Sequence, residues 1–179
     1  MTFSVNANFF EYFNQPVQFV LDLAALHSAQ LTLQADLHPD RFVNGTAQEK
    51  RLSVQKASMV NEAYQTLKDP VKRAHYLLEL AGIEKNDNQT TSDTSFLMEQ
   101  MSFREEMGEC RSNADPLYCV DNVSDKLKIR AQEFSQEFEQ SYDAKNYETA
   151  QESARKMMFV KRILDQLSDL QTEIEDEMM

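Results

Sequence analysis

Tryptophan is absent from the chain, and glycine and proline occur only three and four times in 179 residues. So few helix breakers, with few β-branched clusters, exclude a sheet-rich fold full of tight turns and favour helices joined by short connections. No apolar run approaches the roughly 20 residues that cross a bilayer. The opening MTFSVNANFFEYF has no basic stretch ahead of a hydrophobic one, and its asparagines, its glutamate and its lack of arginine do not suit a mitochondrial presequence. A soluble, unexported, cytoplasmic protein is expected. Cysteine is limited to Cys110 and Cys119. With no histidine pair to complete a zinc site, the two are expected to be free thiols in a reducing compartment. There is no glycine-rich phosphate loop, no nucleophile motif and no calcium-loop pattern. No metal or cofactor is expected.

What is present suffices for a core. Hydrophobic residues make up 41% of the chain, enough for one ordinary domain or two small ones. The net charge of −12 is unevenly spread: residues 1–82 hold 7 Lys and Arg against 8 Asp and Glu, and residues 83–179 hold 11 against 22. Balances of −1 and −11 set the halves apart. The acidic half would be repelled by phosphate backbones and anionic lipid, which leaves a protein as the better partner.

Between Leu23 and Leu37, Leu23, Leu26, Leu33 and Leu37 follow three-and-four spacing, with Gln30 at the missing step; this predicts an amphipathic helix. Pro39 cannot continue it, and NGT supplies a turn and a cap for a new start near Thr46. Val54, Ala57, Val60, Tyr64 and Leu67 predict a second helix to about Lys68. In KDPVKRA, Asp69 is an N-cap and Pro70 a first helical residue. A third helix follows with Val71, Ala74, Leu78 and Ala81 inward, closed by Gly82 in a left-handed cap. The polar run EKNDNQTTSDTS separates this domain (residues 1–83) from a second (94–179), with 84–93 as linker. Beyond it, helices near 94–112, 117–143 and 146–176 with short connections imply an antiparallel bundle.

The first helix after the linker has more apolar surface than one core face needs. At about 100° per residue, Phe96, Phe103, Met107 and Cys110 make an adequate inner stripe. Leu97, Met98 and Met101 fall on the far side with Glu105. In the last helix, Tyr147, Ala150, Ala154, Met157, Leu164 and Leu167 define an inner face, and Phe159 points away from it beside Arg155 and Arg162. Any one of these outward side chains could simply pack on a neighbouring segment. Four together, rich in methionine and rimmed by charge, suit a protein-binding patch, since each buried side chain can add on the order of 1.5–3 kcal/mol. His38 and Asp40 are acid–base or ligand types, but neither His27 nor His75 gives them a third partner at suitable spacing, so an enzyme is not expected.

A helix, then HPD at residues 38–40, then a longer helix carrying NEAYQTLKDPVKRAHYLL closely resembles a J domain, the module of DnaJ-type co-chaperones. NFFEYFNQP resembles the opening segment of such domains. In the second half, DTSFLMEQMSFREEM and RKMMFVKRILDQL resemble HscB, the J-type co-chaperone of iron–sulfur cluster assembly. The resemblance covers essentially the whole chain. It implies an all-α fold of an antiparallel helical hairpin with its HPD loop plus a three-helix C-terminal bundle. It further implies that His38, Pro39, Asp40 and Arg41 contact a dedicated DnaK-class chaperone of the HscA type and stimulate its ATPase. Leu97, Met98, Met101, Glu105 and Phe159 match the patch by which the family holds the IscU-type scaffold, so the resemblance and the residue pattern meet on the same side chains. The chain departs from the family where the helix before HPD carries no lysine or arginine, where Leu37 replaces the usual tyrosine, and where Arg41 replaces lysine. Docking would then be weaker, or shifted onto Arg41, Lys50, Arg51 and Lys56. The cysteine-rich zinc segment of eukaryotic relatives is missing, which fits a bacterial type. A general J-type co-chaperone of unfolded clients is the alternative.

Overall fold

The computed structural model describes residues 7–38, 41, 45–84 and 93–178. Pro39, Asp40 and all but the two ends of the expected linker lie outside them. The order is α1 (Phe9–Tyr12), α2 (Leu23–Leu37), α3 (Ala47–Lys68), α4 (Pro70–Leu80), α5 (Thr94–Cys110), α6 (Pro116–Asp143) and α7 (Tyr147–Met178). There is no strand among the described residues, and the chain divides into two compact units, Met1–Ala81 and Gly82–Met179.

In the first unit α2 and α3 form a hairpin, and local chemistry sets its ends. Asp22 accepts from the Ala24 and Ala25 N–H groups at the start of α2. Thr46 opens α3 with a capping box completed by Glu49. Asp69 ends α3 and caps α4 by accepting from Val71 and Lys72, with Pro70 in the first turn, where its missing N–H costs nothing. Gly82 follows α4 with φ +78°, the left-handed conformation glycine takes without penalty. The core joins Leu26 of α2, Val60, Ala63 and Leu67 of α3, Ala74, Leu77 and Leu78 of α4, and the aromatics Phe10, Tyr12, Phe13 and Phe19. Arg73 is buried too: its Nη1 donates to the Leu67 carbonyl at 2.5 Å and its guanidinium lies over the Phe19 ring.

Some inward assignments change. Leu23 and Val54 are half exposed, at 50% and 56%. Leu23 opens α2, and the buried positions of that helix are Leu26 and Gln30. Apolar spacing thus runs past the stretch of each helix that a neighbour covers.

In the second unit α6 and α7 form the main hairpin and α5 packs on both. The α6–α7 turn is a Schellman motif: Lys145 N–H donates to the Tyr142 carbonyl and Asn146 N–H to that of Ser141, with Lys145 left-handed at φ 57°. Val120, Val123, Leu127, Phe134 and Phe138 of α6 face Ala150, Ala154, Met157, Val160, Ile163 and Leu167 of α7. The free-thiol expectation for the cysteines is overturned: Cys110 and Cys119 are bonded. The turn at 111–115 folds the start of α6 back beside the end of α5 and brings their Cα atoms to 5.3 Å, a proximity the spacing of nine residues did not reveal. A reducing compartment therefore does not follow from free thiols.

Candidate functional site

In the first unit, helix α2 stops at Leu37 because His38 leaves helical geometry, with φ −58° and ψ 130°, as expected of a residue before proline. His38 is exposed, and its carbonyl accepts the Arg41 N–H at 3.0 Å. The Arg41 guanidinium reaches back to Asp36 at 2.5 Å and to the Ala35 carbonyl at 3.5 Å. A cation over the last turn of α2 suits the negative end of that helix. His38 and Arg41, both exposed, thus stand at the end of α2. Exposed Lys50 and Arg51 lie at the near end of α3, while α2 has no lysine or arginine. His27 does not join them, since its Nδ1 is 3.1 Å from the Tyr64 hydroxyl, about 16 Å along α2. No metal-holding group of three His, Cys, Asp or Glu occurs among the described residues.

In the second unit, α5 buries only Phe96, Phe103 and Cys110, residues seven apart on one stripe. Its other side shows Leu97, Met98 and Met101, the last two at 68% and 62% exposure, with Glu105 exposed beside them. Phe159 does not stand free. It is half-buried, its ring set edge-on to Phe96 at 5.5 Å and covered by the Arg104 guanidinium at 5.7 Å. Leu97, Met101 and Arg104 are neighbours at helical spacing, so the contact between Arg104 and Phe159 sets Phe159 on the flank of the methionine face.

Three cations that the sequence did not single out fix this arrangement. Lys156 of α7 bonds Asp93 at 2.8 Å and lies over the Phe96 and Phe134 rings. Arg130 of α6 holds Glu99 through two bonds at 2.6 and 2.9 Å, pairs with Glu133, and covers Phe134 at 4.5 Å. Arg104 is the third. The bond from Lys156, then those from Ser95 and the Phe96 N–H, hold the Asp93 carboxyl well below the usual carboxylate range. The Glu99 bond chiefly pushes the Arg130 guanidinium up. Asp93, counted with the linker from the sequence, is the N-cap of α5, a role its residue type suits; its partner on α7 has no such local signal.

Leu97, Met98 and Met101 thus give α5 an exposed apolar face opposite its buried stripe. The family model for the HSCB C-terminal oligomerisation domain matches residues 92–168. The co-chaperone protein HscB homolog of Shewanella baltica (strain OS195) is 38% identical over 96% of this chain and 99% of its own length. That of Paraburkholderia phymatum is 39% identical over 96% and 97%. Chaperone HscB from Vibrio cholerae has a similar structure, with TM-score 0.84 and 34% identity over 97% of this chain and 100% of that one. Human co-chaperone HscB gives TM-score 0.84 and 27% identity over 92% and 82%. No helix among the described residues is long and apolar enough to cross a membrane. With relatives aligned along almost its whole length, the chain belongs to the HscB family: a J domain joined to a C-terminal helical domain, acting as a co-chaperone and not as an enzyme.

Proposed function

We propose that this co-chaperone binds an IscU-type iron–sulfur scaffold through Leu97, Met98, Met101, Glu105 and Phe159 and delivers it, in the cytoplasm, to an HscA-type chaperone. His38, Pro39, Asp40 and Arg41 engage that chaperone and stimulate its ATPase, assisting the maturation of iron–sulfur proteins. The observation that carries the reading is the exposed Leu97, Met98 and Met101 face with Phe159 on its flank. Methionine adapts to irregular partner surfaces, and an apolar cluster with charges around it supplies burial on binding without the cost of stripping water from many polar groups. At the other site, a carboxylate at Asp40 suits an arginine of the partner, and its effect is to shift the partner's conformational equilibrium.

The steady-state ATPase rate of the HscA-type chaperone tests this, measured with this protein, with the scaffold, and with both. Stimulation by the pair far beyond the sum of the two is expected. Stimulation by this protein to which the scaffold adds nothing would instead favour a general co-chaperone of unfolded clients.

A further inference from the structure

The turn between α5 and α6 is closed by Ser112 N–H donating to the Glu109 carbonyl and Asn113 N–H to that of Cys110, at 3.2 and 3.1 Å. The Asp115 side chain accepts the Tyr118 N–H at 3.1 Å. These bonds place the Cα atoms of Cys110 and Cys119 5.3 Å apart, within the span a disulfide needs, and the sulfurs are joined.

The two residues differ in access. Cys110 is fully buried, the last member of the α5 core stripe. Cys119 is partly exposed, next to a Tyr118 that is 67% exposed. The Cys110 sulfur also lies 3.3 Å from the Glu106 carbonyl. A bonded sulfur has no proton to give, but a Cys110 thiol would find that acceptor in place, so burial does not penalise the reduced form. Reduction leaves α5 packed through the buried Phe96 and Phe103, while the exposed pairs of Lys126 with Glu106 and of Arg111 with Glu173 and Glu177 orient its end and add little stability.

We infer that Cys110 and Cys119 form a reversible thiol–disulfide site, with Cys119 the sulfur at which a low-molecular-weight thiol such as glutathione exchanges. The incoming thiolate attacks the Cys119 sulfur, the bond to Cys110 breaks, and Cys110 leaves as a thiolate that takes a proton. A second thiol then attacks the mixed disulfide. It releases Cys119 as a thiol and the small molecule as its own disulfide, two small thiols being oxidised for each protein disulfide reduced. Oxidation by glutathione disulfide runs the same steps backward. The site lies about 14 Å along α5 from Met101, so it stands independently of the scaffold-binding reading.

The test equilibrates the full chain with glutathione and glutathione disulfide at graded ratios, quenches with acid, alkylates, and weighs the intact protein. A single transition between two alkylated thiols and none is expected, with the trapped mixed disulfide mapping to Cys119. In the native Cys110→Ser variant, Cys119 is expected to take up glutathione at least about tenfold faster than Cys110 does in Cys119→Ser, as access dictates. Two thiols persisting at every ratio, a disulfide that resists excess glutathione in the native protein, or a mixed disulfide on Cys110 would overturn the inference. The mapping on the unaltered chain decides the matter even where a serine variant fails to fold.

Discussion

Asp93 caps α5 with one carboxylate oxygen, accepting from the Phe96 N–H and the Ser95 hydroxyl, and grips Lys156 of α7 with the other. Each bond favours the ionised carboxylate, so its folded-state pKa lies below the ordinary 3.8. A depressed carboxylate stabilises the fold fully above its unfolded pKa, and that contribution fades as pH falls toward the folded value. Asp93→Asn keeps a good helix cap but removes the charge. The variant is therefore expected to be less stable than the parent at pH 7, with the gap narrowing steadily below about pH 4. Urea unfolding at pH 7, 5, 4 and 3 checks this, and a gap that stays constant across the series would refute the assignment. Arg41 and Asp36 make a contrasting pair. With side chains 59% and 61% exposed, their ion pair contributes little to stability, and its interest lies in how it orients the loop end.

Among the elements, turns and caps were the most legible part of the sequence. Asp69 before Pro70 set a helix boundary because one residue supplies the acceptor and the next needs no donor; Gly82 set another through its backbone freedom. Periodicity placed α2, α3 and α5 as helices, but it did not say how far along each helix a neighbour extends, which is why Leu23 and Val54 were assigned inward. It also gave no hint of the polar residues inside, such as Gln30, Ser53 and Arg73; Ser53 is satisfied within its own helix by the Lys50 carbonyl, and Arg73 reaches back to that of Leu67. The methionine face of α5 was readable because helical spacing alone separates it from Phe96 and Phe103. Its fastening by Lys156, Arg130 and Arg104 and the Cys110–Cys119 bond were not, since each joins residues whose proximity only the folded bundle creates. The α6–α7 turn offers a test at this scale. Lys145 occupies a left-handed position that a side chain adopts at a cost and glycine adopts freely. Lys145→Gly is expected to raise stability by about 0.5–1 kcal/mol, the lost conformational strain outweighing the added freedom of the unfolded chain. The shift would appear in the denaturant midpoint with an unchanged slope; a lowered midpoint would show that the lysine side chain contributes more than its backbone costs.

For the whole molecule, the proposed adaptor role requires that two sites on two compact units act from one chain. Asp40→Asn replaces the carboxylate of the HPD motif with an amide of nearly the same size, so scaffold binding is expected to persist while ATPase stimulation is lost. Met101→Ala truncates an exposed side chain and is expected to weaken scaffold binding, leaving stimulation without scaffold intact. Phe159→Ala is the less selective variant, because its ring also packs on Phe96. Covalent connection makes the second binding event effectively intramolecular, at an effective concentration that chains free in solution do not reach. A mixture of the Asp40→Asn and Met101→Ala proteins therefore contains one working copy of each site but not on the same chain. It is expected to show stimulation by the Met101→Ala protein alone, without the synergy that scaffold brings to the parent. ATPase rates measured at matched total concentration decide it. Restoration of the full synergy by the mixture would mean that the two sites need not share a chain, and tethering would no longer explain how the co-chaperone delivers its client.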